Sequence, residues 1–143
     1  MRRYLGLRIS IVLAVLLGSL TYLYPPPGVR EYLYGPAPFR QMMEARSVDI
    51  VMIDIMRAGG ITGWLKIAGM AEAYNLPVVS HLVPEIHVHL VAAIPNGLTV
   101  EYMPWTFVLF EEVPQPVKGE LIVPKKPGHG LKFDEKNLKR YAV

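Results

Sequence analysis

The chain has 143 residues, a formal net charge of +3, 52% hydrophobic and 19% charged residues, and no cysteine. The absence of thiols excludes disulfides and thiolate metal sites. Many of the basic residues sit near the two ends, and no basic stripe interleaves with aromatics, so nucleic acid is a poor partner for it.

Residues 1–8 carry Arg2, Arg3 and Arg8, and residues 9–24 (ISIVLAVLLGSLTYLY) are uncharged and mostly apolar until Pro25-Pro26-Pro27. A spanning helix takes about 20 apolar residues, so this run suits a short anchor, a signal peptide's hydrophobic region, a buried element, or sequence unrelated to the rest. We favour the last, with an anchor second. Glu31 follows, then a short helix over 38–46 with Phe39, Met42 and Met43 on its packed face.

From residue 48 the pattern is strand, helix, strand, helix, strand. VDIVMID (48–54) is an apolar run closing on Asp54, with Asp49 capping its start in solvent. Gly59-Gly60 turns the chain sharply, Thr62 is placed to cap a helix over 63–74, and Trp64, Ile67, Ala68 and Ala71 form its packed face. Asn75 ends it. A second strand over 77–81 closes on His81. The next helix, over 84–93, starts on Pro84 and Glu85. It carries His87 and His89 on nearly opposite sides, one exposed and one a hydrogen-bonded core residue. A third strand over 98–101 closes on Glu101.

Short apolar runs separated by helices predict parallel β/α units, buried on both faces, whose sites lie at the C-terminal strand ends. Beyond Tyr102 the chain reads as a proline-punctuated tail with a strand over 120–123. His129 sits in its PGHG turn, a turn residue rather than a ligand.

These residues carry a resemblance. Asp54, GGITGW (59–64), SHL (80–82), Glu101 and PGHGL (127–131) occur in the order seen in the mandelate racemase/muconate lactonizing enzyme group of the enolase superfamily, with mandelate racemase and the acid-sugar dehydratases most similar. It covers residues 31 to the C-terminus and leaves 1–29 aside. It implies an α/β fold that is the C-terminal portion of a (β/α) TIM-type barrel over 30–102, with a tail over 103–143 that packs on a capping domain. A whole barrel takes about 250 residues, so the portion is incomplete.

The resemblance also implies chemistry: proton abstraction α to a carboxylate, with Mg2+ and a small carboxylate substrate such as a sugar acid or hydroxy acid. The resulting enediolate carries two negative charges, which a divalent cation stabilises while a base takes the proton. Sites of this superfamily pair a Lys or His base with Mg2+. By resemblance His81 is the base, Asp54 accepts its Nδ1 proton, a protonated Glu101 donates to the substrate carboxylate, and Glu31 is a metal ligand. Taken singly, His81 reads as a core histidine, Asp54 as a helix-entry cap and Glu101 as a surface acid. At three successive strand ends the site reading wins, and it predicts Asp54 and His81 about 2.6–3.2 Å apart.

No acid precedes Glu31 and the first lysine is Lys66, so the lysine base and two further metal carboxylates expected from the family are missing. The chain is therefore expected to be a fragment that is inactive alone and prone to self-association, cytoplasmic by family. The alternative is a non-catalytic remnant held to a membrane through residues 9–24.

Overall fold

The structure, a computed structural model, describes residues 32–141. Glu31, the arginine-rich start and the apolar run 9–24 lie outside the described residues. Among the described residues no helix is long and apolar enough to cross a membrane.

The first described element is α1 (Pro36–Glu44), which starts on a proline and buries Phe39, Met42 and Met43. Three strands follow, β1 (Val51–Asp54), β2 (Val78–His81) and β3 (Gly97–Thr99), parallel and in the order β1-β2-β3. Helices α2 (Ile55–Ala58) and α3 (Gly60–Ala73) join β1 to β2, and α4 (Pro84–Ala92) joins β2 to β3. Side chains alternate along a strand, so Val51, Ile53, Val78 and Ser80, all fully buried, turn to one face. Trp64 and Ile67 of α3 and His87 of α4 are equally buried, and the Trp64 and His87 rings approach to 5.9 Å between centroids. Both helices therefore cover the same face. Each large apolar side chain fully buried there contributes about 1.5–3 kcal/mol. Trp64 can be buried because its Nε1–H donates to the Ile53 carbonyl at 3.3 Å.

Three expectations for the β/α part are corrected. β1 begins at Val51, not at 48, and Asp49 is exposed in a bend. The ladder starts where the Val51 N–H meets the Pro77 carbonyl, and the chain before Pro77 is still leaving α3, so nothing lies opposite 48–50. β3 ends at Thr99, because the Glu101 N–H is given to the Ser80 hydroxyl at 2.9 Å instead of to a ladder carbonyl. Thr62 caps nothing: α3 starts at Gly60, after the short helix α2, and its N-cap residue is Gly59, which has no side chain to cap with.

The corner between α2 and α3 needs glycine, since Gly59 and Gly60 have φ of 87° and 82°, the left-handed region that glycine enters without penalty. Gly63 serves a different purpose. A Cβ there would lie 1.9 Å from the Ala58 carbonyl oxygen, so its bareness lets α2 and α3 touch. At the far end Asn75 (φ 55°) donates its N–H to Glu72 and stops α3, as its type suggested.

The tail forms a 3-10 helix (Pro104–Leu109), a hairpin of β4 (Pro116–Val117) and β5 (Glu120–Leu121), and α5 (Glu135–Tyr141). The strand expected over 120–123 is thus two residues long. Phe110 stacks on Phe133, and Asp134 caps α5 through the Lys136 and Asn137 amides. His129 is in the PGHG turn, where its carbonyl accepts from His89 Nε2 at 3.0 Å, tying the tail to α4.

Candidate active site

The register of β1 and β2 sets Asp54 directly opposite His81. Both close their strands, both are buried, and Asp54 Oδ2 lies 3.1 Å from His81 Nδ1. Asp54 also opens α2: its Oδ1 accepts the Met56 N–H at 2.7 Å and the Arg57 N–H at 3.3 Å. The helix-cap and dyad readings of Asp54 therefore meet in one carboxylate, with one oxygen serving each.

Arg57 is the residue that sequence reasoning missed. Its Nη1 is 3.1 Å from Asp54 Oδ2 and 3.4 Å from His81 Nδ1. A guanidinium can only donate, and a carboxylate only accept. Asp54 is nearer to Nδ1 than Arg57 is, and a ring lone pair facing carboxylate oxygen would be repelled, so Nδ1 carries the proton and donates to Oδ2. The basic lone pair is then on Nε2. A basic residue three positions after a capping acid is the signal that could have pointed to Arg57.

Glu101 is fastened around His81 from both sides. Its N–H bonds Ser80 Oγ, and its Oε2 accepts the Leu82 N–H at 2.7 Å. Thr99 pairs with Val79, and two residues further along each chain come Glu101 and His81. The Glu101 carboxylate is thus level with His81 although it stands outside the strand.

The turn after His81 is strained: Leu82 and Val83 have φ of 56° and 43°, which costs about 1–3 kcal/mol for a residue so held. His87 helps to hold it, donating from Nδ1 to the Leu82 carbonyl at 2.7 Å and the Val83 carbonyl at 3.2 Å. Burial lowers the His87 pKa below the usual 6.5, with the two carbonyl bonds opposing that shift less strongly, so it acts as a neutral donor. This is the hydrogen-bonded core histidine expected of the pair, and His89 is the partly exposed one. Glu85 is fully buried in the first turn of α4, and neither of its carboxylate oxygens has a hydrogen-bond partner.

An apolar cavity of about 280 Å3 lies between Met56 and Leu82, the latter next in sequence to His81, on one side and Trp105 and Phe110 of the tail on the other. Among the described residues no group of three His, Asp or Glu side chains could hold a metal ion. Asp54 is committed to imidazole, guanidinium and amide donors, and one oxygen of Glu101 to an amide. The described residues do not by themselves fit a Mg2+ site, and Glu31 lies outside them.

Comparison with known proteins gives a consistent picture. The family described as enolase C-terminal domain-like matches residues 28–137. D-xylonate dehydratase of Haloferax volcanii is 36% identical over 127 residues, covering 82% of this chain and 31% of that protein. A solved L-talarate dehydratase from a Polaromonas species, complexed with Mg and L-glucarate, superposes with a TM-score of 0.75 at 37% identity, covering 78% of this chain and 31% of that one. A solved enolase from Bradyrhizobium, complexed with magnesium and mandelic acid, gives 0.75 at 32% identity, covering 81% and 32%. The chain spans about a third of the length of these relatives.

Proposed function

The chain belongs to the enolase C-terminal domain-like family, and on that premise we propose that it supplies the base side of a Mg2+-dependent site that removes the proton α to a carboxylate. The substrate is a sugar acid or hydroxy acid, and the reaction that of an acid-sugar dehydratase or a racemase. One observation carries the reading: Asp54 Oδ2 lies 3.1 Å from His81 Nδ1 at paired ends of two parallel strands.

In this reading His81 accepts the α-proton at Nε2. Asp54 holds the Nδ1 proton, orients the ring and stabilises the imidazolium as it forms. Glu101, in its protonated form, donates a hydrogen bond to the substrate carboxylate as charge builds there. Because its Oε2 takes the Leu82 N–H, the donated proton belongs on Oε1.

Solved relatives are complexed with Mg, and Glu31 is the residue of this chain proposed to reach the ion; its other ligands and a second base would come from beyond the described residues. The three parallel strands and the helices between them are read as part of an incomplete (β/α) barrel, with residues 103–143 packing on a capping domain. The test follows α-proton exchange into deuterated water across a panel of sugar acids with Mg2+. The chain is assayed alone and mixed with the N-terminal part of a related full-length dehydratase. Exchange in the mixture only, abolished by His81→Asn, is the expected result. Exchange that survives His81→Asn overturns the base role, and metal-dependent turnover by the chain alone overturns the incomplete-site part of the reading.

A further inference from the structure

We infer that Arg57 is a positioning residue that keeps His81 in its neutral, proton-accepting form. The inference rests on reading Asp54 and His81 as the reacting pair. Arg57 grips Asp54 at both oxygens: its main-chain N–H reaches Oδ1 at 3.3 Å, and its guanidinium reaches Oδ2 at 3.1 Å. His81 Nδ1 reaches that same Oδ2 at 3.1 Å, and the two nitrogens stand 3.4 Å apart.

Two donors thus divide one anionic oxygen. A proton added to the imidazole would bring a second full cation against the guanidinium, and a like charge at that distance disfavours the charged ring. Without Arg57, the carboxylate would lend its whole charge to an imidazolium, and a base that is already protonated cannot accept a substrate proton. Asp54 alone could orient the ring; it takes the arginine to orient it without charging it.

Among the described residues, the other titratable groups near His81 are His87 on α4 and Glu101 after β3. His87 repels a charged His81 and is itself kept neutral by burial, while the Glu101 carboxylate accepts from Leu82, the residue next to His81. Neither is bonded to the Asp54 oxygens. Arg57 is also held in place. The Tyr32 ring lies 4.5 Å from its guanidinium carbon, its carbonyl accepts the Gly35 N–H at 2.9 Å, and its side chain is 21% exposed. A guanidinium seated in this way keeps its contact with Oδ2 instead of drifting into solvent.

The experiment follows the His81 ring nitrogens by 15N NMR in the labelled full chain as pH is varied, for the wild type, Arg57→Gln and Arg57→Lys. Arg57→Gln is expected to raise the pH of half-protonation of His81 by about one unit, and Arg57→Lys, which keeps the charge, to leave it near the wild-type value. In the reconstituted mixture the acid limb of the pH–rate profile moves with it. If Arg57→Gln does not fold, Tyr32→Leu loosens the guanidinium and should give a smaller shift in the same direction. An unmoved or lowered midpoint in these variants, or a shift in Arg57→Lys as large as in Arg57→Gln, overturns the inference. A failure of the base reading shows itself separately, as exchange that survives His81→Asn.

Discussion

Between residues 51 and 92 the chain buries both its apolar mass and its polar chemistry, whereas from 103 to 141 no helix or strand has a buried residue. In the first region Ile53, Trp64 and Ile67 are fully enclosed, and Asp54, Ser80, His81, Glu85 and His87 lie among them. In the second, Trp105, Ile122 and Phe133 stay more than half exposed. The tail's order comes from an aromatic stack, the Asp134 cap and exposed ion pairs such as Lys132–Glu111, interactions that are individually weak in water. Chemistry needs side chains held to about 0.5 Å by packed neighbours. The strand ends meet that demand.

The substitution that would break this contrast most severely is His81→Asn, for which we expect a loss of about 10²–10⁴-fold in α-proton exchange by the reconstituted mixture. Its urea midpoint should change little, since the site residue is not what holds the core. Trp64→Ala should cost about 3–5 kcal/mol in urea unfolding. The same substitution at Trp105, in the tail, should cost less than about 0.5 kcal/mol; equal costs would erase the distinction between the regions. Gly63→Ala forces a Cβ against the Ala58 carbonyl and should cost about 1–3 kcal/mol, read in the same experiment.

The smallest effect sharpens the picture of the strained turn. Burial lowers the His87 pKa in the folded chain from 6.5, so the unfolded chain takes up that proton first as pH falls. The His87 contribution is therefore fully present above pH 6.5 and is lost as pH falls through the lowered folded value. Urea midpoints measured on both sides of that value should show the loss, and His87→Gln should flatten it.

The parallel β/α order and the closeness of Asp54 to His81 were legible because β1 and β2, buried along almost their whole length, read as short apolar runs that close on Asp54 and His81, whereas β3 is exposed throughout. Strand ends were less legible. Residues 48–50 are apolar enough to continue β1 but have no partner, and Val100 continues β3 in type while the chain turns Glu101 toward Ser80. The short helix α2 was hidden because four residues give too little periodicity to see, and Arg57 was hidden with it. No residue type announces the left-handed turn at Leu82 and Val83, since a β-branched residue rarely adopts it. That turn gives Glu101 its amide contact.

The central claim is that Asp54 accepts a hydrogen bond from the Nδ1–H of His81, leaving Nε2 as the base. The 15N spectrum of the His81 ring, recorded in the wild-type chain at a pH where the ring is neutral, tests it most directly. The account predicts the Nδ1–H tautomer, giving way to a mixture in Asp54→Asn. A neutral ring protonated at Nε2 in the wild type would contradict it.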